Sequence, residues 1–226
     1  MRNNLQTTTP VRAICAGALF LATVAFGQNS GFYARADVGG NLTQDIDVKE
    51  FFGPVAPGTT VKLDPGFRAG LAGGYQATDW LAGEVELGAM ENEIRSITGA
   101  TRVHDASFAN VPLLFNLKLQ YPNRSGFIPY AGAGAGFSEA IFDVGRVTLN
   151  GVNVHGDDAD TVFAYQAFAG VRYQLNEQMG VSLEYRYFVA ESPSWEADFS
   201  PGTGSDTLRF GRSQTHAISL AFEFRF

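Results

Sequence analysis

One cysteine, Cys15, in 226 residues means that no intramolecular disulfide can form and that thiol chemistry has a single candidate. Histidine is also scarce, and His104, His155 and His216 lie far apart in the chain. Charged residues are 17% of the total, which is low for a soluble globular protein. Acids outnumber bases 23 to 16, and this balance argues against nucleic acid as a partner, because phosphates call for a basic surface. No stretch supplies the ~18 to 20 consecutive apolar residues of a transmembrane helix. The mean hydropathy of −0.04 excludes a polytopic helical membrane protein. It does not exclude a membrane barrel, in which half of each strand is polar.

The start of the chain reads as a secretory leader. Arg2 and Arg12 give it positive charge, residues 13–26 form the apolar centre, and Ala25-Phe26-Gly27 is a small-x-small cleavage site before Gln28. We expect a cleaved signal peptide over 1–27 and one domain over 28–226. Cys15 would leave with the leader, and Arg12-Ala13-Ile14-Cys15 lacks the small residue that precedes the cysteine of a lipoprotein box. Without Arg2 and Arg12 the chain keeps 14 Lys and Arg against 23 Asp and Glu, a net charge of −9.

What is abundant is glycine (26 residues) and aromatic side chains (13%), and their arrangement carries the fold. At the C-terminus Ile218, Leu220, Phe222, Phe224 and Phe226 alternate with Ala217, Ser219, Ala221, Glu223 and Arg225. A strand sends successive side chains to opposite faces, so this segment has one greasy face and one small or charged face. Seven similar stretches precede it, at about 31–40, 67–76, 80–90, 106–121, 127–140, 160–175 and 180–190. The cleanest sets Val111, Leu113, Phe115, Leu117 and Leu119 against Asn110, Pro112, Leu114, Asn116, Lys118 and Gln120. The connections alternate long and short. Residues 41–64, 91–105, 141–159 and 191–213 read as loops, whereas Ala77-Thr78-Asp79, Pro122 to Gly126 and Asn176 to Met179 read as tight turns.

Periodicity alone fits two barrels. A soluble eight-stranded barrel would turn Leu113, Phe115, Leu117, Phe222 and Phe224 inward; a membrane barrel turns them to lipid. The aromatics decide for the membrane. Tyr75, Trp80, Tyr121, Tyr173 and Phe226 fall near the short turns, and Phe137 and Tyr187 near the long loops, as two interfacial girdles would. The expected fold is all-β: an eight-stranded antiparallel up-and-down transmembrane β-barrel with both termini on the turn side.

The aromatic terminal strand ending in Phe226, and the strand Pro129-Tyr130-Ala131-Gly132-Ala133-Gly134-Ala135-Gly136, resemble those of small bacterial outer-membrane barrels. The region 28–226 is similar to the family that includes the OmpA transmembrane domain and adhesin-like barrels. That resemblance implies export through the periplasm and an integral place in the outer membrane of a Gram-negative cell. It implies outer-membrane lipid as a partner, recognition of the strand ending in Phe226 by the assembly machinery, and loops that meet an extracellular ligand. With the chain ending on the barrel, no appended peptidoglycan-binding domain is expected.

The inward face collects Arg35, Asp37, Arg68, Glu84, Glu86, Lys118, Arg172, Glu184, Arg186, Glu223 and Arg225, six basic and five acidic. An eight-stranded barrel is just wide enough for side chains to fill, and unpaired buried charge is costly. A plug of ion pairs is therefore expected, with Tyr33, Trp80, Tyr130, Phe168 and Phe188 adding inward bulk. Glu84 and Glu86 could pair as acid and base, but neighbouring inward positions on one strand serve better to neutralise arginines. His216 with Ser213 resembles the His/Ser centre of barrel lipid A deacylases, though no carboxylate stands in register. Asp157, Asp158 and Asp160 lack the spacing of a calcium loop. No catalytic, cofactor-binding or metal residue is assigned, and no cofactor is expected. The function expected is a structural or surface-interaction (adhesin-like) envelope protein with a plugged interior. A narrow porin or a lipid-modifying barrel enzyme are the alternatives.

Overall fold

The computed structural model describes residues 31–51, 55–98, 100–149, 152–198 and 205–226. The segment read as a leader lies outside them. Among the described residues twelve strands occur, in the order β1 (Phe32–Thr43), β2 (Ile46–Phe51), β3 (Thr60–Leu63), β4 (Gly66–Thr78), β5 (Leu81–Ile97), β6 (Ala100–Gln120), β7 (Phe127–Leu149), β8 (Val152–Gln174), β9 (Met179–Ala190), β10 (Ser194–Asp198), β11 (Ser205–Phe210) and β12 (Ser213–Arg225). Eight of them make the wall, each antiparallel to its neighbours in the cyclic order β1-β4-β5-β6-β7-β8-β9-β12.

Closure is made by the two ends of the described chain. β12 pairs with β1 over eleven register positions, from Tyr33 opposite Arg225 to Thr43 opposite Thr215. The Phe226 amide donates to the Phe32 carbonyl at 3.1 Å. An open edge in lipid would leave backbone groups without partners, so this seam is what permits the sheet to sit in a membrane.

The alternation is kept around the ring. β9 and β12 bury every second residue through their lower halves and expose those between, and on β6 Phe115 is 65% exposed while Leu114 next to it is fully buried. On β7, Phe127 and Phe137 bracket an exposed apolar span, as Tyr173 and Phe163 do on β8. Ten residue steps at ~3.3 Å, tilted about 40°, give a band about 25 Å tall, the height of the apolar belt of such barrels.

Three expectations need correcting. The long connections read as loops are largely strands: β2 and β3 lie within 41–64, β10 and β11 within 191–213, and β5, β6, β7 and β8 run on past their expected ends. β3 takes over from β4 as the neighbour of β5, with Val61 opposite Ile97, and β2, β11 and β10 follow by successive pairings. Each of these four is the sequence neighbour of a wall strand, so the wall continues upward as a collar. The breaks fall at Asp64-Pro65 and Glu191-Ser192-Pro193, where proline cannot donate to the ladder, and at Gln44-Asp45 and Gly211-Arg212.

Second, Trp80 is not inward bulk. It sits in the turn before β5 and is 54% exposed, joining Tyr75, Tyr121 and Tyr173 in the girdle. A turn residue lies outside the strand pleat, so the inward parity of its neighbours does not extend to it. Third, His104 and His155 lie within β6 and β8, not in loops.

Candidate functional site

Above the tight turns the lumen opens on Glu223 of β12. It pairs with Arg172 of β8, with Lys118 of β6 at 3.3 Å and with Arg225 at 3.1 Å. Lys118 Nζ also lies 2.6 Å from Glu84 Oε1 and 4.4 Å from the centre of the Tyr33 ring. The Tyr33 hydroxyl donates to the same Glu84 oxygen at 2.6 Å.

One layer higher, Glu86 sits at the middle of a second cluster. Arg186 approaches it at 2.8 Å and Arg35 at 3.6 Å, Arg68 pairs with it directly, and Asn116 and Gln166 donate to it at 2.7 and 3.0 Å. Glu184 pairs with Arg186 and, at 3.0 Å, with Arg35, and it accepts the Tyr130 hydroxyl at 3.0 Å. Asp37 completes the layer against Arg68 and, at 3.8 Å, Arg35. All eleven residues expected inward therefore converge. Only Arg225, near the lower rim, keeps partial exposure.

Glycine makes room for these long side chains. A Cβ on Gly134 would lie 1.9 Å from Asn116 Oδ1, and one on Gly132 would lie 2.3 Å from the Phe168 ring. Phe168 in turn packs 5.1 Å from the Arg186 guanidinium, a cation–π contact. The spaced glycines of β7 are thus the complement of the bulky residues on β6 and β8.

Higher still the chemistry changes. A thin neutral layer comes first: the Thr43 hydroxyl lies 2.8 Å from Asn92 Oδ1 and 2.8 Å from the Thr215 hydroxyl. Asn92 donates to the Asp64 carbonyl at 2.9 Å. Beyond it Met90, Ile94, Phe108, Val162 and Phe188 from the wall meet Ile46, Val48, Val61, Leu63 and Phe210 from the collar in one buried apolar cluster. The mouth is therefore filled by a hydrophobic core above the ionic one. Sequence reasoning missed this cap, although the signal was present in the alternation of Ile46-Asp47-Val48-Lys49 and Val61-Lys62-Leu63.

The remaining candidates separate. Ser213 is buried on the inner face of β12, whereas His216 points outward from the same strand. They stand on opposite sides of the wall and cannot act together. Glu84 and Glu86 are each occupied by cations and neutral donors, so neither is poised as an acid or base. Asp160 accepts the Ser194 amide at 2.8 Å.

This architecture agrees with what comparison finds. The model of the outer membrane protein beta-barrel domain matches residues 13–226. The chain belongs to that family. Among solved structures it is similar to the OprG outer membrane protein of Pseudomonas aeruginosa, at 15% identity and a TM-score of 0.60, covering 87% of this chain and 97% of that one. It is similar to Neisserial surface protein A at 17% identity and a TM-score of 0.55, covering 87% and 98%. It is also similar to the outer membrane protein AlkL at 16% identity and a TM-score of 0.51, covering 90% and 94%. A search of curated proteins finds no match to the sequence. The protein is an integral outer-membrane barrel, so the face bearing Leu113, Phe115 and Leu117 meets lipid and the ionic face is the interior.

Proposed function

We propose that the protein is a plugged envelope barrel that acts through its extracellular collar as a structural or surface-interaction component, not as a pore or an enzyme. The observation that carries this reading is the double filling of the lumen. Five cations and five carboxylates interlock across the wall, and a separate apolar core lies above them. Removing one partner from a buried pair costs several kcal/mol, so such a network resists the rearrangement that a water path would need. A collar of paired strands can present a fixed surface to a ligand without the entropic cost of ordering loops on contact.

The same reading takes residues 1–27 as a leader removed during export through the periplasm, leaving 28–226 as the barrel. The aromatic strand that ends on Phe226 would be the segment by which the assembly machinery receives the chain. A narrow porin is the reading to be set against this one, and conductance separates the two. In planar bilayers the refolded protein should give no stable unitary currents. Frequent, ion-selective channels would overturn the plug and favour the porin.

A further inference from the structure

The side-chain charges of the plug do not balance, and the excess lies at one end. In the upper layer Arg35, Arg68 and Arg186 face Asp37, Glu86 and Glu184. In the lower layer Lys118, Arg172 and Arg225 face only Glu84 and Glu223, and Arg35 approaches Glu84 as well, at 3.8 Å. Arg172 and Arg225 converge on a single atom. Arg172 Nη1 donates to Glu223 Oε1, and Arg225 Nε donates to the same oxygen at 3.1 Å. Two donors in reach of one oxygen stand within about 6 Å of each other. Two like charges therefore share one carboxylate, which Lys118 also claims.

Each of these guanidinium groups keeps a buried N–H with no hydrogen-bond partner among the described residues, Nε on Arg172 and Nη2 on Arg225. Arg172 is only 3% exposed. Its stem crosses Gly180, where a Cβ would lie 3.1 Å from its Cδ and 3.2 Å from its Cγ. Arg172 stands opposite Ser182, and Gly180 is one rung nearer the turns, between Gln174 and Glu223. The side chain thus leans toward the turn side, and the free Nε leans with it. The inward positions there are neutral: the amides of Gln76, Gln120 and Gln174 donate to turn carbonyls. Asp79 and Glu177 are exposed on the turns themselves. The Arg225 side chain, 29% exposed, gives this end access from outside the lumen.

We propose that the turn-side end of the lumen is a binding site for a small oxyanion of the class of inorganic phosphate. One of its oxygens accepts the Arg172 Nε–H and another accepts from Arg225 Nη2, both charge-assisted bonds. Its charge offsets the excess cation, which burial makes costly to leave alone. Chloride brings the charge without two separate acceptor atoms, so the two donors select an oxyanion. The ion enters and leaves on the turn side, because the layer around Glu86 closes the lumen above it. The site is independent of whatever the collar meets at the other end.

The test uses the full barrel in alkyl maltoside micelles, which carry no phosphate. NMR follows the arginine Nε–Hε resonances as phosphate replaces chloride at constant ionic strength. The Arg172 resonance should shift and saturate, with half-saturation at about 1 mM, while that of Arg68 in the upper layer stays in place. Arg225→Gln should raise the half-saturation concentration at least about tenfold. With the excess charge gone, it should also be no less stable than the wild type in chloride. Arg172→Lys, which keeps a cation for Glu223 and removes the Nε donor, should weaken binding similarly, read at Arg225. Arg95→Gln, which removes an exposed cation paired with Asp64 at 3.5 Å, should change nothing. A lipid headgroup offers the same phosphate chemistry, so short-chain phosphatidylglycerol is titrated separately, and a response to the lipid alone overturns the free oxyanion. An Arg172 resonance that ignores phosphate, or responds equally in Arg225→Gln, would show that water or the chain terminus satisfies these arginines and would overturn the site.

Discussion

Arg186 and Glu86 are one hundred residues apart in sequence and meet in the middle of the barrel at 2.8 Å, both without solvent exposure. They come from β9 and β5, on different sides of the ring, so their contact crosses the lumen and ties the two sides together. Every layer of the ionic plug is built in this way, from strands that share no ladder as well as strands that do.

Glu86 is the most connected carboxylate, and Glu86→Gln should therefore be severe. Arg68, Arg35 and Arg186 would all lose counter-charge in a space closed to water. The expected loss is about 3 to 5 kcal/mol, the usual penalty for breaking a buried pair on one side. Denaturant unfolding in lipid vesicles measures it. Glu93→Gln, on an outward and exposed position of β5, should change stability by less than about 0.5 kcal/mol. Similar losses for the two would mean that the network is not under tension. Adding Glu84→Gln would take from Lys118 its shorter pairing and leave it Glu223 alone, a carboxylate it shares with Arg172.

The two faces of β6 should respond oppositely to charge. Leu117 points to lipid and Lys118 to the lumen. Leu117→Arg should cost about 2 to 4 kcal/mol near the midplane. Lys118→Leu should leave the protein inserted but less stable, with Glu84 and Glu223 deprived of their shared ammonium. A tolerant position 117 beside an intolerant 118 would invert the barrel.

Glycine substitutions test the fit of the plug. Gly134→Ala drives a Cβ into Asn116, whereas Gly73→Ala on the outer face of β4 meets nothing within 4 Å. Overpacking of this kind costs about 1 to 3 kcal/mol. The Gly73 variant should be neutral or slightly stabilising, because it only removes freedom from the unfolded chain. Matching unfolding midpoints for the two proteins would show that the lumen is loosely packed.

Phe226 is expected to matter for assembly more than for the finished fold. Its amide closes the β1–β12 seam at Phe32, and its exposed ring packs 5.4 Å from Phe224. Phe226→Asp should sharply lower the yield of heat-modifiable, folded protein in cells, while Thr98→Ala, in the turn between β5 and β6, should not. Equal folded yields would remove the terminal aromatic from the assembly signal.

The number of wall strands, their antiparallel order and the choice of faces were legible in the sequence, because a period of two needs only local sterics and the contrast between apolar and charged residues. The same alternation named the eleven plug residues, since in a narrow barrel every inward charge must find another. Trp80 was misplaced because parity stops at a turn. The collar was also legible in part, in the short alternations around Ile46 and Val61. Which carboxylate serves which arginine, and the apolar cap, were not legible. Those depend on register between strands far apart in the chain and on the shear of the closed sheet. Both are fixed only when β12 zips onto β1, a long-range contact that no local pattern encodes.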